Sequence, residues 1–261
     1  MKIAIIGYGK MGKMIEKAAL ERGHTIAAIV DPLPVQGETP SGAIIYKSID
    51  ESAGLNGADA AIEFTVPATA MQNITALAHL KIPAVIGTTG WLDRLDEVKK
   101  IVDSAGSSLL WASNFSLGVN VFYRIAWHAA QLMDAFPQYD IGGFESHHNK
   151  KLDSPSGTAK TLVDGVLSRV KRKKKAVWET LGRAPAQDEL HYPSLRMGAV
   201  PGTHSLIFDS AADTIEITHT ARSREGFASG AVCAAEWLIQ AAENQKGIFT
   251  IDDMMKEMLK N

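Results

Sequence analysis

Up to about residue 115, short apolar runs alternate with amphipathic stretches. Ile3–Ile6, Ile26–Val30, Ala60–Phe64, Ala84–Ile86 and Leu109–Ala112 each read as a buried strand closed by Gly, Pro or a polar residue. Between the first two, Met11, Ile15, Ala18 and Ala19 share one helical face, and Gly23 stands where a helix should stop. Strand–helix alternation of this kind predicts α/β architecture with a doubly wound parallel sheet covered on both sides.

After Asn120 the texture changes. A helix is predicted over Val121–Asp134 and a strand over Asp140–Ser146. A second helix opens near Ser156 and is expected to run into the basic stretch Arg169–Lys175. Residues 194–220 are strand-like, with Gly198, Pro201-Gly202 and Ala212-Asp213 as turn signals. Strands joined by tight turns imply a mixed or antiparallel sheet, so this part reads as a separate α+β domain. Ala231–Ala242 is helical and almost wholly apolar, which suits a buried helix returning the chain to the first domain. The expected boundaries are 1–116 with 228–261 for one domain and 117–227 for the other.

Composition narrows the partners. The chain has 261 residues, 46% of them apolar and 21% charged, ordinary globular values that exclude disordered and fibrous classes. Lys+Arg 27 against Asp+Glu 29 gives a net charge of -2, so no broad field draws the chain to nucleic acid or to an anionic membrane. The apolar start stops at Gly7, too soon for a signal peptide. No apolar run approaches the roughly 18 residues of a membrane span. Cys233 is the single cysteine, which rules out an intrachain disulfide and fits a reducing compartment. These features make a cytoplasmic protein the expectation.

Gly7-Tyr8-Gly9-Lys10-Met11-Gly12 is a G-x-G-x-x-G that follows a strand and opens an amphipathic helix. With 22 glycines in the chain the spacing alone is weak; the strand–turn–helix context is what gives it weight. Gly7 permits the tight turn, Gly9 has no side chain to block a pyrophosphate, and Gly12 lets the helix pack closely on the strand. The amides and the positive helix end then face the phosphates. A Rossmann-like domain results, the alternative being a tight turn without a ligand. The second strand ends at Asp31, whose carboxylate can accept hydrogen bonds from ribose hydroxyls and would repel a 2′-phosphate. NADH is therefore favoured, while Lys10 and Lys13 leave room for NADPH. Gly87, Thr88 and Thr89 follow one later strand, and Ala112, Ser113, Asn114 and Phe115 follow another. Both lie where a cofactor groove should be, although ordinary turns would look the same.

The densest chemistry lies in Glu145-Ser146-His147-His148-Asn149-Lys150-Lys151-Leu152-Asp153-Ser154-Pro155-Ser156-Gly157-Thr158-Ala159. Two histidines, lysines and an acid precede a helix start, a natural seat for a carboxylate or phosphate. A capped, solvated loop is the competing interpretation. Adjacent His147 and His148 point to opposite faces of a regular strand. They lack a third ligand at usable spacing, so no metal site is expected.

This stretch resembles the E-x-H-H-x-x-K-x-D-x-P-S-G-T-A signature of the dihydrodipicolinate reductase (4-hydroxy-tetrahydrodipicolinate reductase) family. The likeness spans the chain, taking in the glycine loop, Gly87-Thr88-Thr89-Gly90, Asn114-Phe115-Ser116, Gly198, Pro201-Gly202 with His204, and His219 to Arg224 with Phe227-Ala228. The resemblance implies NAD(P)H-dependent reduction of a cyclic imine dicarboxylate in the diaminopimelate route to lysine. It implies His147 as acid/base residue and Lys151 as second proton donor, although a fixed positive charge would serve as well. His148, Ser156, Gly157 and Thr158 become substrate contacts. Gly7 to Gly12 (with Tyr8, Lys10 and Met11), Asp31, Gly87 to Thr89 and Ala112 to Phe115 fall on cofactor positions. The second domain then binds substrate and assembles a homotetramer. One departure is Pro32 after Asp31, where family members that use both cofactors can carry arginine; it argues against strong NADPH use.

Two other classes compete: another two-domain nicotinamide oxidoreductase of a small acid, and a non-catalytic nicotinamide-binding redox sensor. A sensor has no need of an acid beside an anion seat. Lys171–Lys175 is expected to be the solvated end of a helix. Arg222 and Arg224 could reach the active site or serve in structural ion pairs.

Overall fold

The computed structural model describes residues 1–33, 39–52, 55 and 57–260. The chain divides into two compact units, Met1–Ser116 with Glu225–Asn261, and Leu117–Arg224.

The first unit is a seven-stranded sheet in which every strand pairs in parallel. Its strands are β1 (Lys2–Ile6), β2 (Thr25–Val30), β3 (Ile45–Tyr46), β4 (Ala60–Glu63), β5 (Ala84–Ile86), β6 (Ser108–Trp111) and β13 (Gly247–Thr250), in the order β13-β6-β5-β4-β1-β2-β3. Strand order reverses between β1 and β4, the switch point at which doubly wound sheets bind ligands. Its central strands are buried almost throughout, as expected of a sheet covered on both faces. Helices α1 (Lys10–Glu21) and α6 (Glu225–Asn244) pack together, as do α2 (Pro67–His79) and α3 (Leu95–Ala105). The apolar run at 231–242 thus lies in α6, against β4, β5 and β6. A final helix, α7 (Ile251–Met258), opens with a capping box in which Thr250 and Asp253 satisfy each other's backbone amides.

The second unit holds a mixed sheet in the order β10-β7-β11-β12, built from β7 (Asp140–His147), β10 (Ser194–Arg196), β11 (Thr203–Asp209) and β12 (Thr214–Thr220). β10 runs parallel to β7, while β11 is antiparallel to both of its neighbours. Helices α4 (Leu117–Met133) and α5 (Gly157–Leu167) close over a core of Tyr123, Leu162, Tyr192, Leu206 and Phe208. A small parallel pair, β8 (Lys175–Val177) and β9 (Glu189–His191), completes the unit.

The basic stretch departs from the sequence expectation. α5 ends at Leu167, before Arg169, and Lys175 opens β8. Lys173 is buried, its Nζ 2.6 Å from the Glu189 carbonyl and 2.6 Å from Asp140 Oδ1. Arg172 donates to the carbonyls of Met133 and Tyr139 at 3.0 and 2.8 Å. These cations tie the end of α4 to the strands instead of facing water, because α4 and β9 present carbonyls that need donors.

Candidate active site

In the first unit the glycine loop closes the switch point. Gly7 has φ +91, and a side chain there would strike the Phe64 carbonyl. A side chain at Gly12 would strike the Gly7 carbonyl, whereas one at Gly9 would meet nothing within 4 Å. Gly9 is also the N-cap of α1, with no side-chain cap and no acid in the helix's first turn. An open helix start bearing uncompensated positive dipole is what a bound anion needs.

A cavity of about 990 Å³ lies beside the loop and includes Gly7, Gly9, Asp31, Leu33, Lys47 and Thr65 in its wall. Asp31 accepts hydrogen bonds from the Tyr8 amide at 2.7 Å and the Leu33 amide at 2.9 Å, which fixes its carboxylate at this rim. Tyr8 serves the loop itself: its ring is buried and its hydroxyl donates to the buried Glu16, which also accepts from the Ser41 amide at 3.0 Å. Lys10 and Met11 begin α1 outside that wall.

Gly87 lies at the end of β5, where any side chain would overlap the Phe64 ring. Thr88 Oγ1 accepts from the Thr65 amide at 2.7 Å, and Thr89 follows it. Ala112 to Phe115 follow β6, with Phe115 at 5.9 Å from Phe64 between ring centroids and Asn114 Oδ1 accepting from the Ser116 amide. Glu63 is an addition the sequence did not signal. Burial pushes its carboxyl up, and it accepts from Thr65 and Asn73 behind the rim.

In the second unit Glu145 is the hub. It is completely buried on β7, and four donors converge on it. The Ser156 amide and the Arg196 guanidinium each lie 3.0 Å from Oε1, the Ser194 hydroxyl lies 2.7 Å from it, and the Ser156 hydroxyl bonds Oε2. Strand register explains the gathering. Glu145 is paired with Ser194 on one side and His204 on the other, while His147 is paired with Arg196. Residues 145 and 147 share a face because side chains alternate along a strand. His147 Nδ1 accordingly stands 3.5 Å from Glu145 Oε2, and His204 Nδ1 stands 3.9 Å from the same oxygen.

The charges follow from these contacts. Burial opposes ionisation of Glu145, but the donors from Ser156, Ser194 and Arg196 outweigh it and hold the carboxyl below its ordinary value. Burial lowers His147, with Glu145 pulling back and Lys151 and Arg196 pushing the same way as burial. Burial takes His204 down to about 4, so it is neutral at neutral pH.

The other predicted residues divide. Lys151 pairs with Asp153 at 2.8 Å. Ser156, predicted as a substrate contact, spends its amide and hydroxyl on Glu145 and caps α5 by accepting from the Ala159 amide at 3.1 Å. Gly157 is exposed at the helix start, where a side chain would meet nothing within 4 Å, and Thr158 follows it. His148 follows the end of β7, and its Nδ1 is buried without a hydrogen-bond partner. The expectation that the histidines lack a third ligand changes in three dimensions. Among the described residues Glu145, His147 and His204 bring ligand atoms within 4.8 Å of one another. Glu145 already accepts from Ser156 and Arg196, and a second cation beside Arg196 would be repelled, while Nδ1 of His147 and Nδ1 of His204 have no hydrogen-bond partner. Arg222 and Arg224 are exposed.

A switch-point glycine loop in one unit, and in the other an imidazole beside an anchored carboxylate and a Ser156-capped helix start, are the parts a nicotinamide-dependent oxidoreductase of a small acid needs. Family models described as dihydrodipicolinate reductase match residues 1–115 for the N-terminal part and 118–255 for the C-terminal part. The chain belongs to the dihydrodipicolinate reductase family. It is 41% identical to the 4-hydroxy-tetrahydrodipicolinate reductase of Christiangramia forsetii, with both chains covered in full. The enzyme of the same name from Staphylococcus aureus (strain Newman) is 34% identical over 97% of this chain and 100% of that one. Among solved structures, the dipicolinate-bound dihydrodipicolinate reductase from Paenisporosarcina sp. TG-14 superposes with a TM-score of 0.77 at 20% identity, covering 96% and 97% of the two chains. At that identity the superposition speaks to fold.

Proposed function

We propose that this chain reduces 4-hydroxy-tetrahydrodipicolinate to tetrahydrodipicolinate, with loss of water, in the diaminopimelate route to lysine. The observation that carries the reading is Glu145, which gathers His147 and the α5 start on one buried carboxylate.

The glycine loop, the open Gly9 and Asp31 fit a dinucleotide, which supplies the hydride when bound. The exposed α5 start at Gly157, where a side chain would meet nothing within 4 Å, is the seat for one carboxylate of the substrate. His148 and Lys151 supply polar and positive groups for the rest of the dianion. Lys151, held by Asp153, serves as a fixed charge in this arrangement. His147 delivers a proton to the ring as electron density moves onto it and water departs. Lys151 and Arg196 lower the proton affinity of His147 in the free protein, and a bound dianion offsets both, restoring its proton affinity when it is needed.

Asp31 favours NADH. Lys47 adds what Pro32 and Leu33 lack. β3 pairs with β2 so that the Asp31 amide bonds the Tyr46 carbonyl at 2.9 Å, which brings Lys47 to the same cavity wall. A lysine there can receive a 2′-phosphate, so we propose use of both cofactors. We propose also a cytoplasmic homotetramer, supported by the exposed edge strand β12 with Ile215 44% exposed. Among the described residues no helix is long and apolar enough to cross a membrane.

The test supplies aspartate semialdehyde, pyruvate and a coupling synthase, and follows NADH or NADPH consumption. Synthase-dependent oxidation with this chain is the expected outcome. No oxidation above a synthase-free control would end the proposal.

A further inference from the structure

We infer that Glu145 is the positioning residue of His147: its Oε2 faces the imidazole Nδ1–H, leaving Nε2 as the atom that moves the proton. This rests on the assignment of His147 as proton donor and goes beyond it by fixing the tautomer and naming the group that sets it.

Three observations carry it. First, Glu145 cannot swing away. Oε1 is held by the Ser156 amide, Ser194 and Arg196, and Oε2 by the Ser156 hydroxyl, so the oxygen left facing the rings is Oε2. A carboxylate is acceptor-only, so an imidazole that meets it presents N–H. Second, His147 Nδ1 is buried with no hydrogen-bond partner, and its nearest carboxylate oxygen is Glu145 Oε2 at 3.5 Å. Such contacts in ligand-free sites commonly tighten when substrate binds. Third, Nε2 is on the opposite edge of the ring, over Gly202. A Cβ at position 202 would come within 3.0 Å of Nε2, and Gly202 has φ +150, a conformation suited to glycine. The missing side chain leaves space beside the nitrogen that would transfer the proton.

His204 shares the carboxylate without competing for the role. It lies edge-on to His147, with ring centroids 5.2 Å apart, and is more deeply buried. Its burial keeps it neutral, so the negative charge of Glu145 is available to the imidazolium that forms at 147. The titratable and charged groups facing His147 are Glu145 on its own strand, Arg196 from β10, the neutral His204 from β11, and Lys151 and Asp153 from the following loop. Only Glu145 and Asp153 raise its proton affinity, and Glu145 does so more.

Imidazole ¹⁵N spectra of the wild-type protein, together with the pH dependence of kcat in Glu145→Gln and Glu145→Asp, test this. Neutral His147 should carry its proton on Nδ1. Glu145→Gln should lower kcat by roughly 10- to 100-fold with KM within about threefold, and move the limb where kcat falls with rising pH to lower pH. Glu145→Asp should recover part of both. A neutral His147 protonated on Nε2 overturns the inference even if Glu145→Gln fails to fold. So does a folded Glu145→Gln whose pH limb stays in place. His147→Gln separates the two claims. If it keeps normal turnover, the acid role itself falls; if it loses turnover while the Nε2–H tautomer is found, only the role of Glu145 falls.

Discussion

The two functional regions are built by opposite means. At the glycine loop the site exists because atoms are missing: Gly7 and Gly12 leave room for neighbouring backbone, and Gly9 opens onto free space. At β7 the site exists because groups are crowded: one buried carboxylate, four donors and two imidazoles. A backbone cradle holds its ligand with fixed dipoles and has nothing to titrate. A charge cluster can move a proton, and for that reason depends on pH and on isosteric changes that leave the fold intact. The first region is thus suited to holding a cofactor and the second to chemistry.

Breaking the second region at its proposed proton donor should have the largest effect. His147→Gln is expected to lower kcat by roughly 10²–10⁴ with KM little changed, measured by steady-state kinetics. A change in KM alone would make His147 a binding group.

The glycines allow the first region to be dissected. Gly12→Ala places a methyl against the Gly7 carbonyl and should cost about 3 kcal/mol of stability by denaturant unfolding. Gly9→Ala meets no protein atom and should cost under about 1 kcal/mol. Its cofactor KM should nevertheless rise by about tenfold. Equal losses of stability would mean that Gly9 also serves packing.

Removing a buried cation is expected to come next. Lys173→Met leaves the Glu189 carbonyl without its donor and should cost about 2 kcal/mol, whereas the exposed Lys174→Ala should stay within about 0.5 kcal/mol.

Stability should also report the titrating cluster. The native proton affinity of His204, about 4, lies below the ordinary histidine value of 6.5, and His147 is lowered too. The unfolded chain therefore takes up protons first as pH falls. Stability present above about pH 6.5 should be lost progressively toward pH 4. Thermal midpoints measured across that range should fall less steeply in His204→Gln. Equal slopes would place the acid sensitivity elsewhere.

The smallest effect concerns cofactor choice. Lys47→Ala should raise the KM for NADPH about fivefold and leave that for NADH nearly unchanged. Parallel changes would remove Lys47 from the 2′-phosphate site.

What the sequence revealed follows the same division. The buried strands β1, β2, β4, β5 and β6 and the glycine loop were legible because they depend on local pattern: continuous apolar runs and fixed spacing. Helix α4 starts four residues before the predicted Val121, and within that added turn Val119 joins the core of the second unit and Asn120 is buried. Strands β3, β8 and β13 are at most half-buried and β8 and β9 open on a charged residue, so no continuous apolar run marks them. The lysine-rich stretch was legible in part: Lys171, Lys174 and Lys175 are exposed as charge suggests, whereas Arg172 and Lys173 meet carbonyls distant in sequence.

Within the site, His147 and the α5 start were visible as adjacent chemistry. Glu145 carries no local signal of its role beyond its i−2 spacing to His147, which places both on one strand face. His204 and Arg196 reach that face only through strand pairing, which no local window encodes. Tyr8 and Ser156 also hold the site's own framework through Asp31, Glu16 and Glu145, a role that local sequence does not show.

The most direct measurement is a titration of ¹⁵N-labelled protein with dipicolinate, a planar dianion, while following the His147 ring signals. Binding should shift His147 toward the imidazolium form at fixed pH, and monoanionic picolinate should do so far less. Saturable binding of dipicolinate that leaves His147 unprotonated and its signals in place would contradict an anion seat beside the proton donor.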